Sequence, residues 1–221
     1  MLAPLTTFTA KSDRTTRTLR SHGEFESECP GYRGAQDTFY VGTLNGVGRV
    51  YPQTFINTYA KVGFAKLYDR KTPITAADLL IDRLLPFYEE GGVPLNRILT
   101  DRGTEYCGTH DRQEYELYLA VEDIVHSRTK AKSPQTNGGV ERFHKTMLDE
   151  FHRVAFRKKV YATIDELQVD FDAWMAEYNQ VRPHQGRWCF GKTPMQTFVD
   201  ATPLAREKMI LDQTAAHHAA A

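Results

Sequence analysis

Residues 37–69 read DTFYVGTLNGVGRVYPQTFINTYAKVGFAKLYD. The stretch is dense in β-branched and aromatic residues, which suit a pleated, half-buried surface. It is broken at Leu44-Asn45-Gly46, where Asn-Gly supplies the positive φ of a tight hairpin turn. Three successive antiparallel strands are predicted, at roughly 36–43, 47–56 and 60–68. Thr75 then reads as the N-cap of a helix whose apolar face is Ala77, Ile81, Leu84, Leu85 and Tyr88, kinked at Pro86 and ended by Gly91-Gly92. Arg97 to Asp101 (RILTD) is a short apolar run that fits a buried strand delivering Asp101 to a loop.

Further along, a short helix is expected at about 112–121 through Tyr115, Tyr118 and Leu119, and a fifth strand at about 123–127. After the polar stretch Lys130 to Asn137, a long amphipathic helix carries Val140, Phe143, Met147, Phe151 and Val154 on one face, with Glu141 beside that face. Thr163-x-x-Glu166 is a capping box that opens a helix bearing Leu167, Phe171, Trp174, Met175 and Tyr178, and Thr193-Pro194 opens a short last one. The order βββαβαβααα implies an α/β fold, a mixed sheet of about five strands flanked by helices.

A chain of 221 residues accommodates one well-filled domain, here residues 30–200, with a Thr/Ser/Arg-rich, poorly ordered leader at 1–29 and a tail at 201–221. With 41% hydrophobic and 25% charged residues, the composition is that of a soluble globular protein. No apolar run approaches the roughly 18 residues of a membrane span, and the N-terminus lacks a signal-peptide pattern, so a cytoplasmic protein without membrane association is expected. Cys29, Cys107 and Cys189 are scattered and odd in number, which argues for reduced thiols over a disulfide framework or a zinc site. The net charge is zero, but nine Lys/Arg lie between His126 and Val160 against Glu141, Asp149 and Glu150. Such a basic run is either a solvated helix face or a nucleic-acid footprint.

Three acids stand where elements can gather them: Asp37 in the first strand, Asp101 at the end of the fourth, and Glu141 in the first turns of a helix. Three carboxylates held together repel by about 1–4 kcal/mol per pair at about 4 Å, so the arrangement calls for divalent cations. Hard oxygen ligands point to magnesium or manganese, and two such ions could activate a water or a 3′-hydroxyl and stabilise the departing oxygen in displacement at phosphorus. Spacing alone does not distinguish this triple from the many others a charged protein offers.

The surrounding residues are more specific. LTDRGTEY holds Asp101, and SPQTNGGVERFHKTM holds Glu141 after 39 intervening residues. With DTFYVGTLNGVGRVY as a first catalytic strand and hairpin, and YNQVRPHQG with FGKTPMQTF near the end, these segments resemble the integrase-core (DDE-type) transposases of bacterial insertion sequences, relatives of retroviral integrases. The resemblance covers roughly residues 24–200. It implies a ribonuclease-H-like fold, catalytic and metal-holding roles for Asp37, Asp101 and Glu141, two magnesium or manganese ions, DNA ends and target DNA as partners, and a homo-oligomer. It further implies a DNA-engaging loop before the Glu141 helix, with Lys130, Lys132, Asn137, Arg142 and Lys145 as candidates for DNA contact.

Other residues divide between function and structure. Gly103 permits a tight turn where a side chain would crowd the metals. His144, one turn after Glu141, is a candidate metal ligand or, more ordinarily, an exposed polar residue. Tyr178-Asn179 and Arg182-Pro183-His184 read as helix-terminating structure ahead of DNA contact, and Trp174 and Trp188 as core aromatics. The chain departs from the resemblance in three places. The roughly 30 residues before the core are too few for a helix-turn-helix domain, so a truncated transposase is expected. Asn57 stands where many relatives have Asp, and the Ala-rich tail has no counterpart.

Overall fold

The computed structural model describes residues 27–107, 114–129 and 138–219. Its sheet has six strands: β1 (Gly34–Thr38), β2 (Gly42–Leu44), β3 (Gly48–Asn57), β4 (Gly63–Tyr68), β5 (Arg97–Thr100) and β6 (Val125–Arg128). The order is β2-β3-β1-β5-β6, with β4 paired to β3. Pairing is antiparallel from β4 through β3 to β1, then parallel from β1 through β5 to β6. The mixed α/β sheet expected from the sequence is observed, with one strand more.

The extra strand arises because the run 36–43 is two strands, β1 and β2, both antiparallel to β3. Thr38 lies opposite Gln53 and Gly42 opposite Val50, so four residues advance against three. This one-residue slip is a β-bulge between Thr38 and Gly42, a device that re-aims side chains beside active sites. The Asn45-Gly46 turn closes the β2–β3 hairpin, with Gly46 at φ 81° and the Val47 N–H donating to the Leu44 carbonyl at 3.1 Å.

Helices cover both faces. One core lies between the sheet and α1 (Pro73–Leu79), α2 (Leu85–Gly91), α3 (Glu114–Val121) and α7 (Pro194–Ala219). The other lies under α4 (Gly138–Thr146) and α6 (Ile164–Gln180), with α5 (Arg153–Lys158) following α4. Helix α1 is capped by Thr72, whose hydroxyl accepts from the Thr75 N–H while the Thr75 hydroxyl accepts from the Thr72 N–H. Thr72 is therefore the N-cap, with Pro73 preorganising the first turn, and Thr75 sits three residues inside. Gly92, at φ 59°, terminates α2 in the left-handed conformation expected of it.

The distortion expected at Pro86 is a π-helical turn, Leu80–Leu84, in which the Leu85 N–H reaches back five residues to the Leu80 carbonyl. A second one, Met147–His152, joins α4 to α5, with the Arg153 N–H bonded to the Leu148 carbonyl. Each π turn inserts a residue and rotates the helical face. Hence Ile81 and Val154, expected inside, are exposed, while Leu79 and Leu80 are buried. Tyr118, also expected inside, is exposed beside buried Tyr115 and Leu119. Helix α7 is longer than anticipated, and Ala201 and Ala205 pack into the core. All three cysteines are free thiols. Among the described residues, no helix is long and apolar enough to cross a membrane.

Candidate active site

Strand register brings the first two acids together. β1 and β5 run parallel with Gly34 opposite Ile98 and Ala35 opposite Leu99, and two residues further the same register sets Asp37 opposite Asp101. Side chains alternate along a strand, so Asp37 shares the face of Ala35, and Ala35 packs in the core under α4. The Asp37 carboxylate accepts from the Thr38 N–H at 2.8 Å, and Asp101 Oδ1 accepts from the Gly103 N–H at 2.7 Å. Burial first, and then the Asp101 charge, push the Asp37 carboxyl up to about 7, against the opposing pull of the Thr38 N–H and Lys71.

A third carboxylate in this neighbourhood was not singled out from the sequence. Glu105, 1% exposed, lies beside Asp101: a β-carbon on Gly103 would fall 2.4 Å from Glu105 Oε2 and 2.9 Å from Asp101 Oδ1. A side chain at position 103 would thus crowd the Glu105 and Asp101 carboxylates, where the expectation was that it would crowd metals. Lys71 Nζ lies 2.7 Å from Glu105 Oε1, and its charge also acts on Asp37. The signal for Glu105 was present in DRGTEY, but an acid two residues past a turn reads as solvent-exposed.

Glu141 sits in the first turn of α4, on the same side of the sheet as Asp37. Around that helix Phe143 packs over Gly63 at the start of β4, and His144 packs against Phe39 and Thr54. At about 100° per residue, continuing that rotation carries Glu141 to the flank facing β5 and Asp101. It is exposed there, and among the described residues no three His, Cys, Asp or Glu side chains stand close enough to hold a metal ion. Register thus sets Asp37 opposite Asp101, and Glu141 is carried by the helix that covers the same face.

His144 is buried rather than exposed, and among the described residues it belongs to no group of three side chains placed to hold a metal ion. It is 9% exposed, its ring stands 4.2 Å from that of Phe39, and its Nε2 lies 2.7 Å from Thr54 Oγ1. Burial lowers its pKa to about 3. Of the candidate DNA contacts, Arg142 and Lys145 are exposed on α4, whereas Lys130, Lys132 and Asn137 lie outside the described residues. Elsewhere in the basic run, Arg128 pairs with Glu116, Arg153 with Asp149, and Lys159 with Glu166 and Asp170. The Asn179 amide donates to the Gly63 carbonyl and accepts from its N–H, and Arg182 grips Glu150 through two nitrogens, so both serve structure. Asn57 caps the turn after β3 by accepting from the N–H groups of Tyr59 and Ala60.

Beneath the acids, on the opposite face of β1, lies a buried polar network. Tyr106 bridges Thr38 and Gln53, the Tyr115 hydroxyl donates to Gln36, and Gln36 donates to the Ala76 carbonyl. These bonds lock β1 against α1 and α3 with its buried polar groups satisfied.

Comparison with known proteins follows the same geometry. Residues 122–188 match the family model described as Integrase core domain. Solved structures align over most of the chain, among them the HTLV-2 integrase catalytic core domain in complex with magnesium, in its dimeric form, with a TM-score of 0.55 at 17% identity over 77% of this chain and 98% of that one. The fold is that of an integrase catalytic core. A chain of the simian T-cell lymphotropic virus intasome, solved in complex with the PP2A regulatory subunit B56 gamma, aligns with a TM-score of 0.61 at 18% identity over 78% of this chain and 56% of that one. In sequence, the chain is 24% identical over 175 residues to the ORF3 protein of Spiroplasma virus SpV1-C74, named for an integrase, covering 75% of this chain. It spans about half, 47%, of that curated relative's length.

Proposed function

We propose that the chain is the catalytic core of a DNA transposase of the integrase type, a polynucleotidyl transferase in which Asp37, Asp101 and Glu141 hold two divalent cations. The observation that carries this reading is the parallel register that aligns Asp37 with Asp101 on the sheet face covered by the helix bearing Glu141. The donor set fits the ions: carboxylate oxygens are hard ligands suited to magnesium or manganese. Burial first, and then the Asp101 charge, hold the Asp37 carboxyl up, and a bound cation would oppose both. The magnesium reported with the HTLV-2 core agrees with this choice. When bound, two such ions supply activation of a water or 3′-hydroxyl and stabilisation of the departing oxygen.

The protein's own contributions are positioning and charge. Asp37 lies on β1 and Asp101 directly follows the adjacent β5, so their carboxylates keep one spacing, and α4 carries Glu141 over the same face. Arg142 and Lys145, with Lys130, Lys132 and Asn137 of the preceding segment, contact DNA phosphates and orient the scissile bond. One strand is hydrolysed at an element end, and the freed 3′-hydroxyl then attacks target DNA. In the first step water's oxygen replaces the 3′ oxygen on phosphorus and the diester becomes a monoester; in the second the 3′-hydroxyl exchanges one phosphodiester for another, and neither step uses a covalent enzyme intermediate. Two DNA ends call for at least a homodimer.

The exposed position of Glu141 favours a second reading, a catalytically silent DNA- or protein-binding remnant. Magnesium-dependent nicking of labelled duplex separates the two, with Asp101→Asn as control. Cleavage by the wild type and its loss in the variant support the transferase, and joined products distinguish it from a simple nuclease. A folded wild type that cuts nothing favours the remnant.

A further inference from the structure

Two threonine hydroxyls grip the main chain of the two aspartates in the same manner. On β3, Thr54 Oγ1 donates to the Asp37 carbonyl at 2.8 Å and lies 2.7 Å from His144 Nε2. At the end of β5, Thr100 Oγ1 donates to the Asp101 carbonyl at 2.9 Å and lies 2.8 Å from His126 Nε2. Both threonines are fully buried. A hydroxyl has one hydrogen. With that hydrogen on the Asp37 carbonyl, the Thr54 oxygen can only accept from the ring, so His144 carries its hydrogen on Nε2, and burial keeps the ring neutral. His126 differs, because its Nδ1 stands 3.4 Å from the Glu116 carboxylate, which a hydrogen on that nitrogen would face.

We propose that His144 is a positioning residue for the Asp37 and Asp101 pair: its ring, through the Thr54 hydroxyl, fixes the Asp37 carbonyl and so the direction in which that carboxylate leaves the strand. The inference rests on the reading of Asp37 and Asp101 as metal-holding carboxylates. His144 lies one turn along α4 from Glu141. The His144–Thr54–Asp37 chain sets the helix that delivers the third acid in register with the strand that delivers the first. Loss of the link loosens the site without removing a ligand, and outer supports of this kind typically carry tenfold or more in metal affinity.

The test is a manganese titration followed by electron paramagnetic resonance, joined to nitrogen NMR of the histidine rings in metal-free protein. Thr54→Val and His144→Leu are each expected to weaken manganese binding about tenfold. The double variant should be no weaker than either single one, because both break the same chain. Thr54→Ser and His144→Gln keep a hydroxyl and an Nε2-like donor and should stay near wild type, and they carry the test if the harsher variants fail to fold. The metal-free spectrum should give His144 as the Nε2–H form. Unchanged affinity, additive losses or an Nδ1–H ring overturns the positioning role. A wild type that binds no manganese, or binds it no better than Asp37→Asn, overturns the metal reading itself, a result distinct from the first.

Discussion

His152 offers the cleanest quantitative test of the helical scaffold that supports Glu141. It closes the π turn after α4, is 1% exposed, and is ringed by Phe39, Phe151, Phe156 and Phe171 at centroid distances of 5.0 to 6.3 Å. Among the described residues neither ring nitrogen has a hydrogen-bond partner. Burial in this apolar setting lowers its pKa to about 3, from about 6.5 in an unfolded chain. Between these values the unfolded state binds a proton that the folded state refuses, so stability is complete above the upper value and falls on acidification through it. At pH 5, one and a half units below the unfolded value, the loss from this residue is about 2 kcal/mol.

His126 and His144 add to the same acid sensitivity, while Asp37, raised to about 7, opposes it, because its carboxyl gains stability on protonation as pH falls through 7. Comparing wild type with His152→Met cancels these other groups. At pH 8 the variant should be more stable by about 1–2 kcal/mol, since two unsatisfied buried nitrogens are removed. At pH 5 the gap should widen by about 2 kcal/mol, or about 1 M in the urea midpoint for an m-value near 2 kcal/mol/M. An identical gap at both pH values would refute the account of a buried, neutral, unpartnered imidazole.

Three further substitutions probe the site and its supports. Lys71→Met leaves the buried Glu105 carboxylate beside Asp101 without its counter-ion; a loss of about 2–3 kcal/mol is expected in urea unfolding, partly restored by saturating magnesium. Gly103→Ala drives a methyl group between the Glu105 and Asp101 carboxylates, and should cost about 1–3 kcal/mol while abolishing magnesium-dependent nicking by folded protein. Asn179→Ala orphans the N–H and carbonyl of Gly63, with an expected cost of about 2–4 kcal/mol. DNA affinity per folded molecule should be unchanged, since this residue belongs to the scaffold.

The legible parts of the fold were those with a local cause. Asn45-Gly46 announced the hairpin, the density of β-branched and aromatic residues announced β3 and β4, and Gly91-Gly92 announced the end of α2. Asp37, Asp101 and Glu141 were legible as candidates because each falls in or at the end of an element where strands or a helix start can gather side chains. What could not be read depends on non-local packing. Gln36, Thr38 and Gln53 alternate like a solvent-facing strand surface, yet α1 and α3 cover them and complete their hydrogen bonds. The two π turns shift the helical phase, so Ile81 and Val154 misled a regular count. Glu105 and the two histidines behind the aspartates look like surface residues in the sequence because their burial follows from how distant segments meet.

The central claim concerns where divalent ions bind, and crystals of the wild type soaked with manganese address it directly through anomalous scattering. Anomalous peaks are expected between the Asp37 and Asp101 carboxylates, with Glu141 drawn in from its exposed flank and the signal lost in Asp37→Asn crystals. Manganese bound elsewhere, or absent at saturating concentration with Glu141 still turned outward, would contradict the assignment.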